Sequence, residues 1–270
     1  MIGEALAYPL LLLLRRPVTV LGALIAGFAV SLLIDEAWRE LAKVAPDLSR
    51  PARAELSWSA PWLLARAAYY VVHAAGQSFP VALIFVGALI DLGVRERRPI
   101  FSLGDGLRIS ALTAIFVVLL VAPLQVAQPI LAQSVVVRGS YALASVLIGA
   151  GIYALQALVF VPFFLSWPHT VAVRKIRLYP IWRAPRPKAS AAIGALLLTL
   201  LAAGILTVVG AALSGIVFMT LVRDDHGLPI YYSILRIWPS LIAAYVIDAA
   251  SALIYARVTP PKAERVAEHF

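Results

Sequence analysis

Long apolar stretches alternate with short charged stretches along the chain. Six of the apolar stretches approach or exceed the roughly 20 residues that a helix needs to cross about 30 Å of hydrocarbon. They cover residues 17–34, 62–94, 107–132, 141–167, 189–222 and 230–258. Lipid offers the backbone no hydrogen-bond partner, so each crossing segment has to be helical. The pattern therefore predicts an all-α integral membrane protein, a single membrane domain built as a bundle of about six transmembrane helices.

The segments outside these spans are too short to bury a core of their own, so no soluble domain is expected. Residues 35–61 begin with two acids, and Trp38, Leu41, Ala42 and Ala45 recur at helical spacing. This pattern favours a modestly amphipathic helix on the outer membrane surface over a plain solvated linker. Ahead of the first span, residues 1–16 are an extension of that span, a re-entrant piece or a separate interfacial helix.

Composition agrees with a membrane protein. Hydrophobic residues make up 62% of the 270 residues and charged residues 14%, and the mean hydropathy is +0.90. The absence of cysteine from the sequence excludes disulfides, thiolate chemistry and cysteine-ligated metal centres. The formal net charge of +9 suggests nucleic acid at first, but the basic residues lie in short segments between apolar spans. No nucleic-acid partner is therefore expected.

Lys and Arg are distributed unevenly between the two sides of the predicted bundle. Counted over alternate segments, fifteen fall on one side and six on the other. By the positive-inside rule the richer side is cytoplasmic. We therefore expect both termini in the cytoplasm, and a bacterial cytoplasmic (inner) membrane as the location.

A polar stripe lies on the second predicted span. Its members share one face of a helix: Arg66, Tyr69, Tyr70, His73 and Gln77. Unpaired polar groups are costly in hydrocarbon, so this face should point into the bundle or toward water. One interpretation is structural, with hydrogen bonds between helices. The other is a ligand-binding vestibule open to the outside, completed by Gln125, Gln128 and Arg236, with Gln156 of the fourth span lying deeper.

An acid, Asp248, lies within the sixth predicted span. Twelve residues, or roughly 18 Å of helix, separate it from Arg236, so these two side chains cannot pair. An ionisable group inside a span is a candidate proton or cation site. The small residues around Asp248 allow a helix-packing role equally.

Small residues recur at every fourth position of the fifth predicted span, at Thr199, Ala203, Thr207, Ala211 and Gly215. This spacing predicts close approach of another helix, within the chain or at a subunit interface.

The predicted cytoplasmic loop 168–188 is basic and aromatic. The candidates for contact with anionic lipid headgroups or with a partner are Arg174, Lys175, Arg177, Trp182, Arg183, Arg186 and Lys188. The simpler interpretation is that these charges only set the topology.

The sequence carries no motif for catalysis or for metal binding. No two histidines stand four residues apart, and the segment 103–108 lacks the lysine of a phosphate-binding loop. No catalytic residue, metal or cofactor is expected, and an enzyme is not indicated. The leading hypothesis is a non-catalytic, membrane-embedded subunit or interaction partner of a membrane protein complex, in contact with lipid and with other subunits or copies of itself. The alternative is a small-molecule or ion transporter with an outward-facing polar vestibule.

Overall fold

The computed structural model describes residues 1–45, 60–95, 102–124, 127, 148, 151–152, 154–156, 158, 160–221 and 228–259. Side chains are described throughout these ranges except at 60–61, 215, 217–221 and 228–236. All regular elements within these ranges are helical. Six helices are long and apolar enough to cross a membrane: Pro17–Val44, Trp62–Asp91, Leu103–Leu124, Ala154–Val173, Arg186–Ser214 and Ile237–Val258. The prediction of an all-α, six-span membrane protein is confirmed.

Seven α-helices organise the described part of the chain. They are α1 (Ile2–Arg15), α2 (Pro17–Val44), α3 (Ala60–Asp91), α4 (Leu103–Phe116), α5 (Ser166–Val173), α6 (Arg186–Leu221) and α7 (Leu228–Val258). The π-helical turn Val117–Val121 continues α4, and the 3₁₀ turn Val161–Phe163 precedes α5. Helix α3 packs against α2, α4, α5 and α7, and α7 also packs against α1 and α6. Helices α3 and α7 therefore form the centre of the bundle.

The chain breaks between α1 and α2 at Arg16, whose φ of −137° and ψ of 55° lie outside the helical region. The cause is Pro17, because proline disfavours the helical conformation of the residue before it. Residues 2–15 are thus a separate helix, packed mainly on α7. The Tyr8 hydroxyl donates to the Ala88 carbonyl and to Asp91. Burial raises the pKa of Tyr8, with the negative charge of Asp91 adding to the effect, so this hydroxyl stays a donor.

Helix α2 continues through Val44 as one helix, so residues 35–44 of the predicted outer amphipathic segment are continuous with the helix of the first span. Asp35 lies on the side of α2 that faces α3, because it accepts a hydrogen bond from Tyr69. The following turns are exposed and carry the i,i+3 ion pairs Glu36–Arg39 and Glu40–Lys43. Helical support of this kind explains why the helix extends beyond its apolar part.

Helix α6 is apolar on all sides, as expected for a helix with a large lipid-facing surface. Leu201, Val208 and Leu213 are exposed on it. It approaches α7 closely at Gly210, where a Cβ atom would lie 2.7 Å from the Cβ of Pro239. The absence of a side chain at residue 210 therefore allows this contact.

A buried ion pair joins the end of α3 to the start of α4. Arg95 Nη2 donates to Asp105 Oδ2 at 2.7 Å, and the two side chains are 4% and 0% exposed. Arg108, at 35% exposure, reaches the other carboxylate oxygen at 3.3 Å. The Asp105 backbone N–H also donates to Ser102 Oγ and caps α4. The interaction holds α3 and α4 together at one end of the bundle.

Candidate functional site

Three members of the polar stripe on α3 contact α2. Tyr69 donates to Asp35 Oδ1 at 2.6 Å, and His73 Nε2 lies 3.8 Å from the same oxygen. About one turn beyond His73, Gln77 Nε2 donates to the fully buried Ser31 Oγ at 2.6 Å. Tyr69, His73 and Gln77 therefore fix α2 against α3, which favours the structural interpretation of this part of the stripe.

The other two members, Arg66 and Tyr70, contact each other along α3. Arg66 Nη2 donates to the Tyr70 hydroxyl at 3.1 Å, and the guanidinium carbon lies 5.1 Å from the centre of the Trp62 ring. Hydrogen bonding and cation–π contact therefore satisfy Arg66 on its own helix. Gln125 and Gln128 lie outside the described residues, as does the side chain of Arg236 on α7. The outward-facing vestibule that joins them to Arg66 stays a prediction.

A cleft of about 410 Å³ lies between the helices, beside the inner half of the stripe. Helices α3, α4, α6 and α7 and the fourth span all contribute to its lining. Most of the lining is apolar or aromatic: Ala74, Val81, Phe160, Phe164, Trp167, Leu200, Leu241, Ala244 and Ile247. The polar members are Gln77, Ser78, Thr113, Gln156 and Asp248. This size and composition are typical of binding sites for small molecules.

Two of the polar members lack protein partners within the described structure. Gln156 is 7% exposed, and its amide nitrogen is buried without a hydrogen-bond acceptor. Asp248 is partly exposed at the cleft, and its carboxylate has no ion pair or hydrogen bond with any described side chain. Gln77 differs, because its nitrogen is committed to Ser31 and its carbonyl oxygen is left as an acceptor. The structure thus brings Gln77 and Asp248 of the predicted candidates together with Gln156, which the sequence placed deeper than the vestibule.

An aromatic wall closes one side of the cleft. Phe160, Phe164 and Trp167 follow one another at i, i+4 and i+7, and the ring centres of Phe164 and Trp167 are 5.9 Å apart. Trp167 Nε1 donates to Thr113 Oγ1 at 2.9 Å, which fixes the indole against α4. The helical spacing of these three aromatic residues can be read from the sequence. The sequence does not reveal which polar groups the wall faces.

The basic loop after α5 is held at its base and exposes its charges. The Tyr179 N–H donates to Ser166 Oγ, and Thr170 Oγ1 bonds to the backbone of Arg177. Helix α5 ends at Val173, so the predicted loop begins later than residue 168. The predicted contact residues are all exposed: Arg174, Lys175, Arg177, Trp182, Arg183, Arg186 and Lys188. The Trp182 side chain is 63% exposed, so its ring is accessible to a membrane surface or to a partner.

Several charged groups that organise the bundle are absent from the sequence-based candidates. Asp91 accepts from Tyr8 and pairs with Arg15, and Asp105 pairs with Arg95. The signal for Asp105 was the spacing Ser102–Asp105, which matches a helix-capping box. Among the described residues there is no cluster of three side chains suited to hold a metal ion.

Comparison of the chain with protein-family models, with curated proteins and with solved structures finds no match.

Proposed function

We propose that this protein binds a small molecule in the interhelical cleft, as a membrane-embedded transporter or carrier does. The observation that carries the proposal is the pairing of an apolar, aromatic lining with polar groups that lack protein partners among the described residues, Gln156 and Asp248. A buried polar group without a partner costs free energy, and a ligand that supplies the partner recovers it.

The position of the cleft supports a transport function over a structural one. It lies where four spans and the aromatic wall meet, and interfaces between helices are common sites for ligands in helical bundles. Pro80 and Pro239 lie inside α3 and α7, the two central helices that line it. Proline removes a backbone hydrogen bond from a helix interior, so each of these helices has a weak point at which it can bend.

The proposal can be tested with a neutral probe, 2-(1-naphthyl)ethanol, titrated calorimetrically into the purified protein in lipid nanodiscs. Ala244→Phe places a ring in the cleft. Ile242→Phe is the matched control, since residue 242 lies on the same helix with its side chain exposed outside the bundle. Saturable binding is expected for the wild type and for Ile242→Phe, and its loss for Ala244→Phe. Binding that is equal in all three proteins would contradict the proposal, and so would the absence of saturable binding both for this alcohol and for the corresponding amine.

The hypothesis of a non-catalytic subunit, which the sequence favoured, stays a prediction. Purification in a mild detergent addresses it directly. A second chain that stays with this protein in fixed stoichiometry would favour the subunit, and a monodisperse protein or homo-oligomer that binds the probe would favour the carrier.

We further infer a cytoplasmic (inner) membrane location, with the basic loop on the cytoplasmic side together with both termini. Support comes from the excess of Lys and Arg on that side and from the exposure of the loop's charges. Exposed Lys175, Arg183 and Trp182 suit contact with anionic lipid headgroups, because cations attract the phosphates and indole rings favour the headgroup level.

A further inference from the structure

We propose that the ligand of the cleft is an organic cation, an amine with an apolar body, whose protonated nitrogen pairs with the carboxylate of Asp248. This inference rests on the proposed function and names the chemical class of the ligand.

Asp248 differs from every other aspartate in the described part of the chain. Asp35 accepts from Tyr69, Asp91 pairs with Arg15, and Asp105 pairs with Arg95. The carboxylate of Asp248 has no such donor among the described residues, although it lies within a span. An ionised carboxylate in a medium of low dielectric constant requires a counter-charge or hydrogen-bond donors. A cationic ligand in the cleft supplies both.

Gln156 defines a second point of recognition. Its amide nitrogen is buried and has no acceptor in the described structure, while the residue itself lines the cleft. A ligand whose carbonyl or ether oxygen reaches this nitrogen would supply the acceptor that the described protein residues do not. The carbonyl oxygen of Gln77 adds an acceptor, since the nitrogen of that amide is already bonded to Ser31. The polar contacts therefore match an amine that carries an oxygen.

The remaining lining selects the apolar body of the ligand and contributes to binding its charge. The rings of Phe160, Phe164 and Trp167 form one wall of the cleft. An aromatic face attracts a cation through its quadrupole, and the attraction is stronger where water is excluded. The same rings bury the apolar part of the ligand. A free inorganic cation would gain little from this wall, so the geometry favours an organic one.

The competing arrangement is a protonated Asp248 facing a neutral ligand, and a matched pair of probes separates the two. We compare 2-(1-naphthyl)ethylamine, which is protonated at pH 7, with 2-(1-naphthyl)ethanol, which has the same ring system and chain but no charge. Both are titrated calorimetrically into the protein in nanodiscs of neutral lipid. The Ala244→Phe variant measures partition into the lipid, which is subtracted from each titration.

The wild type should bind the amine at least tenfold more tightly than the alcohol. Asp248→Asn, which keeps the shape of the side chain but cannot ionise, should reduce amine affinity at least tenfold, to the affinity that the same variant has for the alcohol. Asp248→Ser is a second neutral variant, to be used if the Asp248→Asn protein does not fold. The preference of the wild-type protein for the amine over the alcohol can be measured without any variant.

Each result decides between the two proposals. Equal affinity of the wild type for the two probes, or an amine preference that survives neutralisation of Asp248, would overturn the cation proposal and leave the proposed function standing. Absence of saturable binding for both probes would instead overturn the proposed function.

Discussion

Removal of the charge on Asp105 tests how much its buried ion pair with Arg95 stabilises the packing of the end of α3 against the start of α4. Asp105→Asn keeps the volume of the side chain but leaves Arg95 without its counter-charge. Arg95 is 4% exposed, its Nε atom has no partner in the described structure, and its bond to the Val171 carbonyl is long at 3.5 Å. The carboxylate therefore supplies most of the compensation for the buried guanidinium.

The size of the effect follows from this burial. Removal of one partner from a buried ion pair costs about 3–5 kcal/mol, and we expect about 3 kcal/mol because asparagine still accepts one hydrogen bond. Arg108 contacts the same carboxylate but is 35% exposed. Ion pairs of this kind contribute about 0.2–1 kcal/mol, so Arg108→Met should cost less than about 1 kcal/mol. Arg108 pairs with the same carboxylate but is more exposed, so Arg108→Met is an internal control for the loss of the buried pair.

The free energy of unfolding can be measured in mixed micelles of dodecyl maltoside and dodecyl sulfate, with helical circular dichroism as the signal. The double variant Arg95→Met with Asp105→Leu should recover most of the loss, because it removes both buried charges. Equal costs for Asp105→Asn and Arg108→Met, or a double variant as unstable as Asp105→Asn, would show that Arg95 does not depend on Asp105.

Two further predictions concern topology and packing. A cysteine in place of Lys43 should react with impermeant maleimides in intact cells, whereas one in place of Arg177 should be shielded until the membrane is permeabilised; the reverse pattern would contradict the orientation. Gly210→Ala should lower the free energy of unfolding by about 1–3 kcal/mol, because its Cβ would meet the rigid ring of Pro239 at 2.7 Å. Gly204→Ala, which has no neighbour within 4 Å, should instead stabilise α6 by up to about 1 kcal/mol, and equal effects at the two glycines would refute the packing argument.

The spans were predictable because the hydrophobic effect acts on the average of about 20 residues, and that average is read directly from the sequence. The sequence left open whether residues 1–16 extend the first span, and the structure shows a break at Arg16, where the proline at residue 17 acts on its immediate neighbour. The continuation of α2 beyond residue 34 was missed. Hydropathy locates where the apolar part of a helix ends, while the hydrogen bonds and i,i+3 ion pairs of exposed turns extend the helix further.

The small residues on α6 show that a constant spacing of four residues stays on one face of a helix only over a short distance. Thr199 and Ala203 are buried, but Ala211, two steps of four residues beyond Ala203, is exposed. A helix turns about 100° per residue, so every fourth position drifts by about 40°, and three steps from Thr199 amount to about 120°. Gly210, which is not a member of the stripe, is a point of close contact with α7.

The cleft could not be predicted because it depends on which spans are neighbours. Gln156 and Asp248 lie on different spans, and periodicity describes the face of one helix without identifying the helix that packs on it. The polar stripe was the stronger signal, yet most of it bonds to α2 or along α3. The dense polar pattern therefore marks a contact between helices, while Asp248, a single acid on another span, lies at the cleft.

This contrast separates two uses of polar groups inside the bundle. Tyr69 and Asp105 have partners in the protein, so their hydrogen bonds offset the cost of desolvation and add to the specificity of helix pairing. Asp248 and Gln156 have no such partners in the described residues, so they lower the stability of the unliganded protein. An apolar side chain at either position would pack at lower cost. On the function that we propose, a ligand that provides the missing charge and acceptor would recover the free energy given up at these two positions.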